Sequence, residues 1–62
     1  MVANQRLRVL VVDDNEAARK VLSVMIEALG WQCDAVGSGQ EALMALQTSA
    51  DRRQGYDVVF MD

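Results

Sequence analysis

Arg8-Val9-Leu10-Val11-Val12-Asp13-Asp14-Asn15 is the stretch that decides the fold of this chain. Four consecutive apolar residues, three of them β-branched, run straight into two carboxylates. That pattern predicts a strand buried on both faces, in the middle of a parallel sheet, ending abruptly at an exposed acidic site. Open α/β folds place their ligands at the carboxyl ends of such strands, where the loops diverge and leave a crevice. Tyr56-Asp57-Val58-Val59-Phe60-Met61-Asp62 repeats the design, an apolar run closed by a carboxylate.

Outward from the first strand, Asn15 is a good helix N-cap and Glu16 suits the positive end of the helix dipole. Ala18, Val21, Leu22, Met25, Ile26 and Leu29 fall on one face of an amphipathic helix, and Gly30 follows as its C′ residue. Trp31 to Val36 is expected as a second strand at a sheet edge, with Cys33 and Ala35 alternating against Gln32 and Asp34. Trp31 itself reads as a packing residue at the helix-to-strand turn. Ser38 with Glu41 three residues on makes a capping box, which starts a second helix with Ala42, Leu43, Leu46 and Ala50 inward. The polar run Asp51-Arg52-Arg53-Gln54-Gly55 ends it, and a third strand runs from Tyr56 to Met61. Arg6 and Arg8 are assigned no specific role.

The order is β-α-β-α-β. With right-handed crossovers, and the second returning past the first strand, the fold class is α/β, a flavodoxin-like doubly wound parallel sheet of strand order 2-1-3 with helices on opposite faces. Strands 1 and 3 are then neighbours, and Asp13, Asp14 and Asp62 converge on one crevice. Composition bounds what that crevice can be. The chain has 62 residues, one cysteine and a net charge of -3, and the three converging aspartates equal the whole acidic excess. Charge elsewhere is balanced, which argues against nucleic-acid binding. Cys33 alone forms neither an internal disulfide nor a cysteine-based zinc site. No apolar run approaches the roughly 20 residues of a membrane span, and no secretion signal opens the chain, so the expected compartment is cytoplasmic.

Three carboxylates repel one another unless a cation holds them. Oxygen-only ligands suit Mg2+, which takes one or two carboxylates and keeps waters and a phosphate oxygen. A carboxylate left free of tight ligation could attack phosphorus and form an acyl phosphate. Spacing alone leaves open which of the three does so.

At these residues the chain resembles the N-terminal half of a response-regulator receiver domain of two-component signalling. The likeness runs from Val9-Leu10-Val11-Val12-Asp13-Asp14-Asn15 through Ser38-Gly39-Gln40-Glu41-Ala42-Leu43 to Tyr56-Asp57-Val58-Val59-Phe60-Met61-Asp62. By that resemblance, residues 1–62 are a truncated receiver domain holding its first three strands and two helices. Asp62 stands at the phospho-accepting position, Asp14 at the direct Mg2+ ligand, and Asp13 at the acid that binds the metal through water or orients it. The resemblance implies a phosphorelay in which a sensor histidine kinase or a histidine phosphotransfer protein supplies the phosphoryl group. Asp-Asp-Asn and Ala17-Ala18-Arg19 lean toward a receiver fused to a hybrid histidine kinase.

Three departures bear on activity. The family's hydroxyl residue after strand 4 and lysine after strand 5 are not in this sequence, and Lys20, in the first helix, cannot replace that lysine. The family's backbone carbonyl ligand for the metal, just beyond the acceptor, is not in this sequence either; separately, the loop Asp51 to Gly55 is long for the family, which bears on where strand 3 starts. The segment by itself is therefore expected to be inactive in phosphoryl transfer and to self-associate through the outer edge of strand 3. A non-catalytic pseudo-receiver, a pure interaction module, is the alternative. A mononucleotide-binding fold is disfavoured because acids stand where phosphate-binding amides are required. A haloacid-dehalogenase-like phosphatase is disfavoured because its acids alternate as Asp-x-Asp, whereas these are adjacent.

Overall fold

The computed structural model describes residues 6–61. Asp62, the expected phospho-acceptor, lies outside the described residues. Strand β1 (Arg8–Val12) is followed by α1 (Glu16–Ala28), β2 (Gln32–Val36), α2 (Gly39–Asp51) and β3 (Val58–Met61). The three strands are parallel and ordered β2-β1-β3, the order expected when the second crossover returns past the first strand.

Burial explains why β1 is central. Val9, Leu10 and Val11 are almost wholly inaccessible, and alternate residues face opposite layers. Val9 and Val11 meet Ile26 and Leu22 of α1 on one side, joined by Trp31 and Cys33. Leu10 and Val12 meet Ala42, Ala45 and Leu46 of α2 on the other. The helices therefore cover opposite faces, and Trp31 and Cys33 are packing residues.

Local signals act where they were expected. The Asn15 side chain accepts from the Ala18 amide at 3.1 Å and starts α1. Gly30, with φ +86°, provides the left-handed turn that ends it. Ser38 accepts from the Glu41 amide at 3.2 Å, and Glu41 reaches back to the Gly37 amide at 2.9 Å, closing the capping box one residue earlier than its usual form.

The helix faces differ from the apolar pattern. Leu22 and Ile26 carry the α1 contact, while Val21, Met25 and Leu29 are exposed. On α2 the inner residues are Ala42, Ala45, Leu46 and Ser49; Leu43 and Ala50 point outward. A three-stranded sheet is too narrow to cover a wide apolar stripe, so each helix buries only the residues directly over β1 and its neighbours. Ser49 is tolerated inside because its hydroxyl donates to the Leu46 carbonyl at 2.9 Å. The strands are also shorter than expected: Trp31, Tyr56 and Asp57 lie outside them. On β3, Val59, Phe60 and Met61 are 41%, 48% and 66% exposed, because no layer of the described residues covers them.

Arg8 has a definite role, contrary to the expectation from sequence. Its guanidinium sits 4.9 Å from the Tyr56 ring centroid, donates to the Gln54 carbonyl and approaches Asp34 at 3.9 Å. Its amide donates to the Asp57 carboxylate at 2.8 Å, and the Asp57 amide returns a bond to the Arg8 carbonyl at 2.8 Å. The Tyr56 hydroxyl crosses β1 to donate to Asp34 on β2 at 2.5 Å. The cluster ties all three strands at the amino end of the sheet and so fixes the β3 register. Sequence pattern missed it because Arg8, Asp34 and Tyr56 are far apart in the chain and meet only through strand order.

Partial burial, then the hydrogen bond to the Asp34 carboxylate, raises the Tyr56 phenol above its ordinary value of 10.0. A raised folded-state value means this contribution to stability is complete below the unfolded value and is lost as pH rises through the folded one. Tyr56→Phe should lower stability by about 0.5–1.5 kcal/mol at neutral pH and flatten the alkaline fall in stability above about pH 10. Urea melts across a pH series check both; an unchanged alkaline slope in the variant would contradict the assignment.

Candidate functional site

The β1–β3 register pairs Val12 with Met61, so the two strands end side by side. Asp13 follows Val12 directly, and Asp62 follows Met61 in sequence. Asp13 is half-buried and Asp14 exposed. Both line a cleft of about 340 Å3 at the carboxyl end of the sheet, together with Val12, Met61 and the turn Gly37-Ser38-Gly39. The cleft opens at the carboxyl end of β1 and takes in Met61 of β3; the strand order reverses between these two strands, the switch point at which open α/β sheets bind ligands.

The two carboxylates are held differently. Asp13 Oδ1 accepts the Asn15 amide at 2.9 Å, an Asx turn that aims the side chain along the loop and leaves Oδ2 without a partner among the described residues. The Asp13 amide donates to the Val36 carbonyl at 3.1 Å, extending the β1–β2 ladder into the loop. Asp14 makes no hydrogen bond through its carboxylate among the described residues. One acid is thus fixed by its own loop and the other is free to turn into the cleft.

As a donor set, two adjacent carboxylates at an open cleft fit a hard divalent ion that retains most of its waters. Among the described residues no three His, Cys, Asp or Glu side chains gather as a metal cluster. The structure brings Asp13 and Asp14 together at the cleft; Asp62 belongs to the expected set but lies outside the described residues.

Two residues at this end escaped sequence reading. Arg19 donates to the Asp13 carbonyl at 2.8 Å, and Gly37 lies against the Arg19 guanidinium. A signal was present: Arg19 is the fourth residue of α1, near the helix end whose dipole disfavours a cation, so a compensating acceptor was to be sought there. The Arg8 cluster lies at the opposite end of the sheet and takes no part in the cleft.

Comparison with known proteins gives a consistent set of relatives. The chain is 43% identical over 56 residues to hybrid signal transduction histidine kinase L of Dictyostelium discoideum, covering 89% of this chain and 3% of that protein. It is 39% identical over 56 residues to the two-component response regulator ARR11 of Arabidopsis thaliana, covering 90% of this chain and 10% of that protein. It is 35% identical over 60 residues to the gliding motility regulatory protein of Myxococcus xanthus, covering 97% of this chain and 7% of that protein. The chain spans a tenth or less of the length of these relatives. No protein-family model and no solved structure matches it.

Proposed function

Since the chain belongs to the receiver-domain family of two-component signalling, we propose that in the intact protein it accepts a phosphoryl group from a phosphohistidine onto Asp62, with Mg2+ held by Asp13 and Asp14. The observation that carries this reading is the pairing of Val12 with Met61, which ends two neighbouring strands just before Asp13 and Asp62. The kinship with response regulators and hybrid histidine kinases supports a histidine kinase or a phosphotransfer protein as donor.

A carboxylate oxygen of Asp62 attacks phosphorus, the phosphorus–nitrogen bond of the donor histidine breaks, and the imidazole leaves and takes up a proton, so that an acyl phosphate results. Bound Mg2+ supplies charge stabilisation to the phosphoryl oxygens during transfer. Asp14, exposed and without another partner among the described residues, is the direct ligand in this reading. Asp13, held by the Asn15 amide, orients the metal or its water. The third ligand is Asp62 itself.

No lysine lines the cleft among the described residues, and the acidic loop holds more negative than positive charge. Phosphoryl transfer needs cationic donors at the developing charge, so the 62-residue segment alone is inactive in this reading. No helix among the described residues is long and apolar enough to cross a membrane. We assign the module to the cytoplasm, where phosphorelay partners meet it.

The test is incubation of the intact protein with acetyl phosphate, with and without Mg2+. Mg2+-dependent labelling that hydroxylamine removes, the signature of an acyl phosphate, is expected. No labelling would favour the non-catalytic interaction module instead, and equal labelling in a chelator would remove Mg2+ from the reading.

A further inference from the structure

Beside the acidic loop, one cation joins the loop after β1 to the loop after β2. Arg19 rises from α1 and donates from Nη1 to the Asp13 carbonyl at 2.8 Å in a partly buried position. The same guanidinium lies against Gly37, the first residue after β2. A Cβ built at Gly37 would stand 3.1 Å from Arg19 Nη1 and 3.7 Å from its Cζ. From the other layer Glu41 of α2 reaches the same point, where that Cβ would stand 3.3 Å from its Oε2. Glu41 accepts the Gly37 amide at 2.9 Å and the Ser38 hydroxyl at 3.2 Å.

Gly37 is not among the residues with positive φ, unlike Gly30, so backbone freedom does not explain a glycine there. Space does. Two charged side chains from helices on opposite faces of the sheet converge on it, at 3.1 and 3.3 Å from a Cβ built there, so a side chain would require one of them to give by a few tenths of an ångström. The Arg19 bond is charge-assisted and short, the stronger kind, and a planar guanidinium can rest flat on a Cα while donating from its edge.

We propose that Arg19 is a positioning residue of the acidic site: seated on Gly37, its guanidinium holds the Asp13 carbonyl and so fixes the loop that presents Asp13 and Asp14 to the cleft. The consequence for phosphoryl transfer rests on the receiver reading above; the tie between the loops is a contact between protein groups and is tested without metal. Loss of the tie frees the Asp13 backbone, and with it the Asx turn that orients the Asp13 carboxylate.

The experiment is amide NMR with hydrogen exchange on the metal-free intact protein and on its Arg19→Met, Arg19→Lys, Gly37→Ala and neighbouring control Lys20→Met variants. In Arg19→Met the Asn15 amide, held by Asp13 Oδ1, should exchange about tenfold faster, the worth of one such bond, with shifts at both Asp13–Asn15 and Gly37–Gln40. Arg19→Lys should recover part of the protection. Gly37→Ala should move the same two loops by a smaller amount although the charge is kept, and Lys20→Met should move neither. An unchanged Asn15 amide in Arg19→Met, no recovery with lysine, or Gly37→Ala effects confined to its own loop would each overturn the proposal. Mg2+ added afterwards to the unaltered intact protein addresses the metal reading separately; absence of a response there would count against that reading and leave the tie standing.

Discussion

Asp62→Asn in the intact protein is expected to abolish phosphoryl uptake while leaving the thermal transition in place. The substitution keeps the size and planarity of the side chain and removes the negative charge that makes a carboxylate oxygen nucleophilic. Asp13 and Asp14 remain, so a metal can still be held, and the loss isolates the attacking group. Asp14→Asn should behave differently. It leaves the acceptor intact and removes a ligand, so labelling should survive at high Mg2+ with the half-saturating Mg2+ concentration raised. Comparing the two across a Mg2+ series separates acceptor from ligand; residual labelling of Asp62→Asn at the rate of the unaltered protein would remove Asp62 from its role.

Leu10→Ala is expected to be the most damaging single change to the fold. Leu10 is 0% exposed, sits at the middle of the central strand, and faces the layer formed by Ala42, Ala45 and Leu46. Truncating a buried leucine costs about 2–5 kcal/mol, a lost transfer term plus a cavity that rigid neighbours do not fill. At roughly 0.05–0.15 kcal/mol per residue, a chain this size has about 3–9 kcal/mol in total. The variant should therefore lose most of its cooperative transition in a urea or thermal melt. Leu43→Ala, at a position 60% exposed on the outer side of α2, should change stability by about 0.5 kcal/mol or less. Equal losses at the two positions would contradict the burial pattern.

Much of the architecture could be read from residues. Val9 to Val12 announced a doubly buried strand, Asn15, Gly30 and Ser38 set helix ends by local hydrogen bonding and backbone freedom, and crossover handedness placed the helices on opposite faces once the second crossover returned past β1. These signals are local or topological, and the sequence carries them directly. Helix facing was legible only in part. Apolar spacing marks the residues able to be buried, while actual burial depends on how much sheet lies beneath, and three strands leave Val21, Met25 and Leu43 outside. The acidic loop stood out because its charge is unbalanced. The groups that secure it did not: Arg19 and Gly37 are ordinary residues until strand order brings the loop after β2 beside the loop after β1. The same holds for Arg8, Tyr56 and Asp34 at the far end, whose meeting depends on the 2-1-3 order.

The most direct test of the central claim is tandem mass spectrometry of the intact protein after brief incubation with acetyl phosphate and Mg2+, with acyl phosphates trapped by borohydride reduction. The predicted result is one modified residue, Asp62, and no modification at Asp13 or Asp14. Modification of Asp13 or Asp14 in its place, or an unmodified protein under conditions that saturate it with Mg2+, would contradict it.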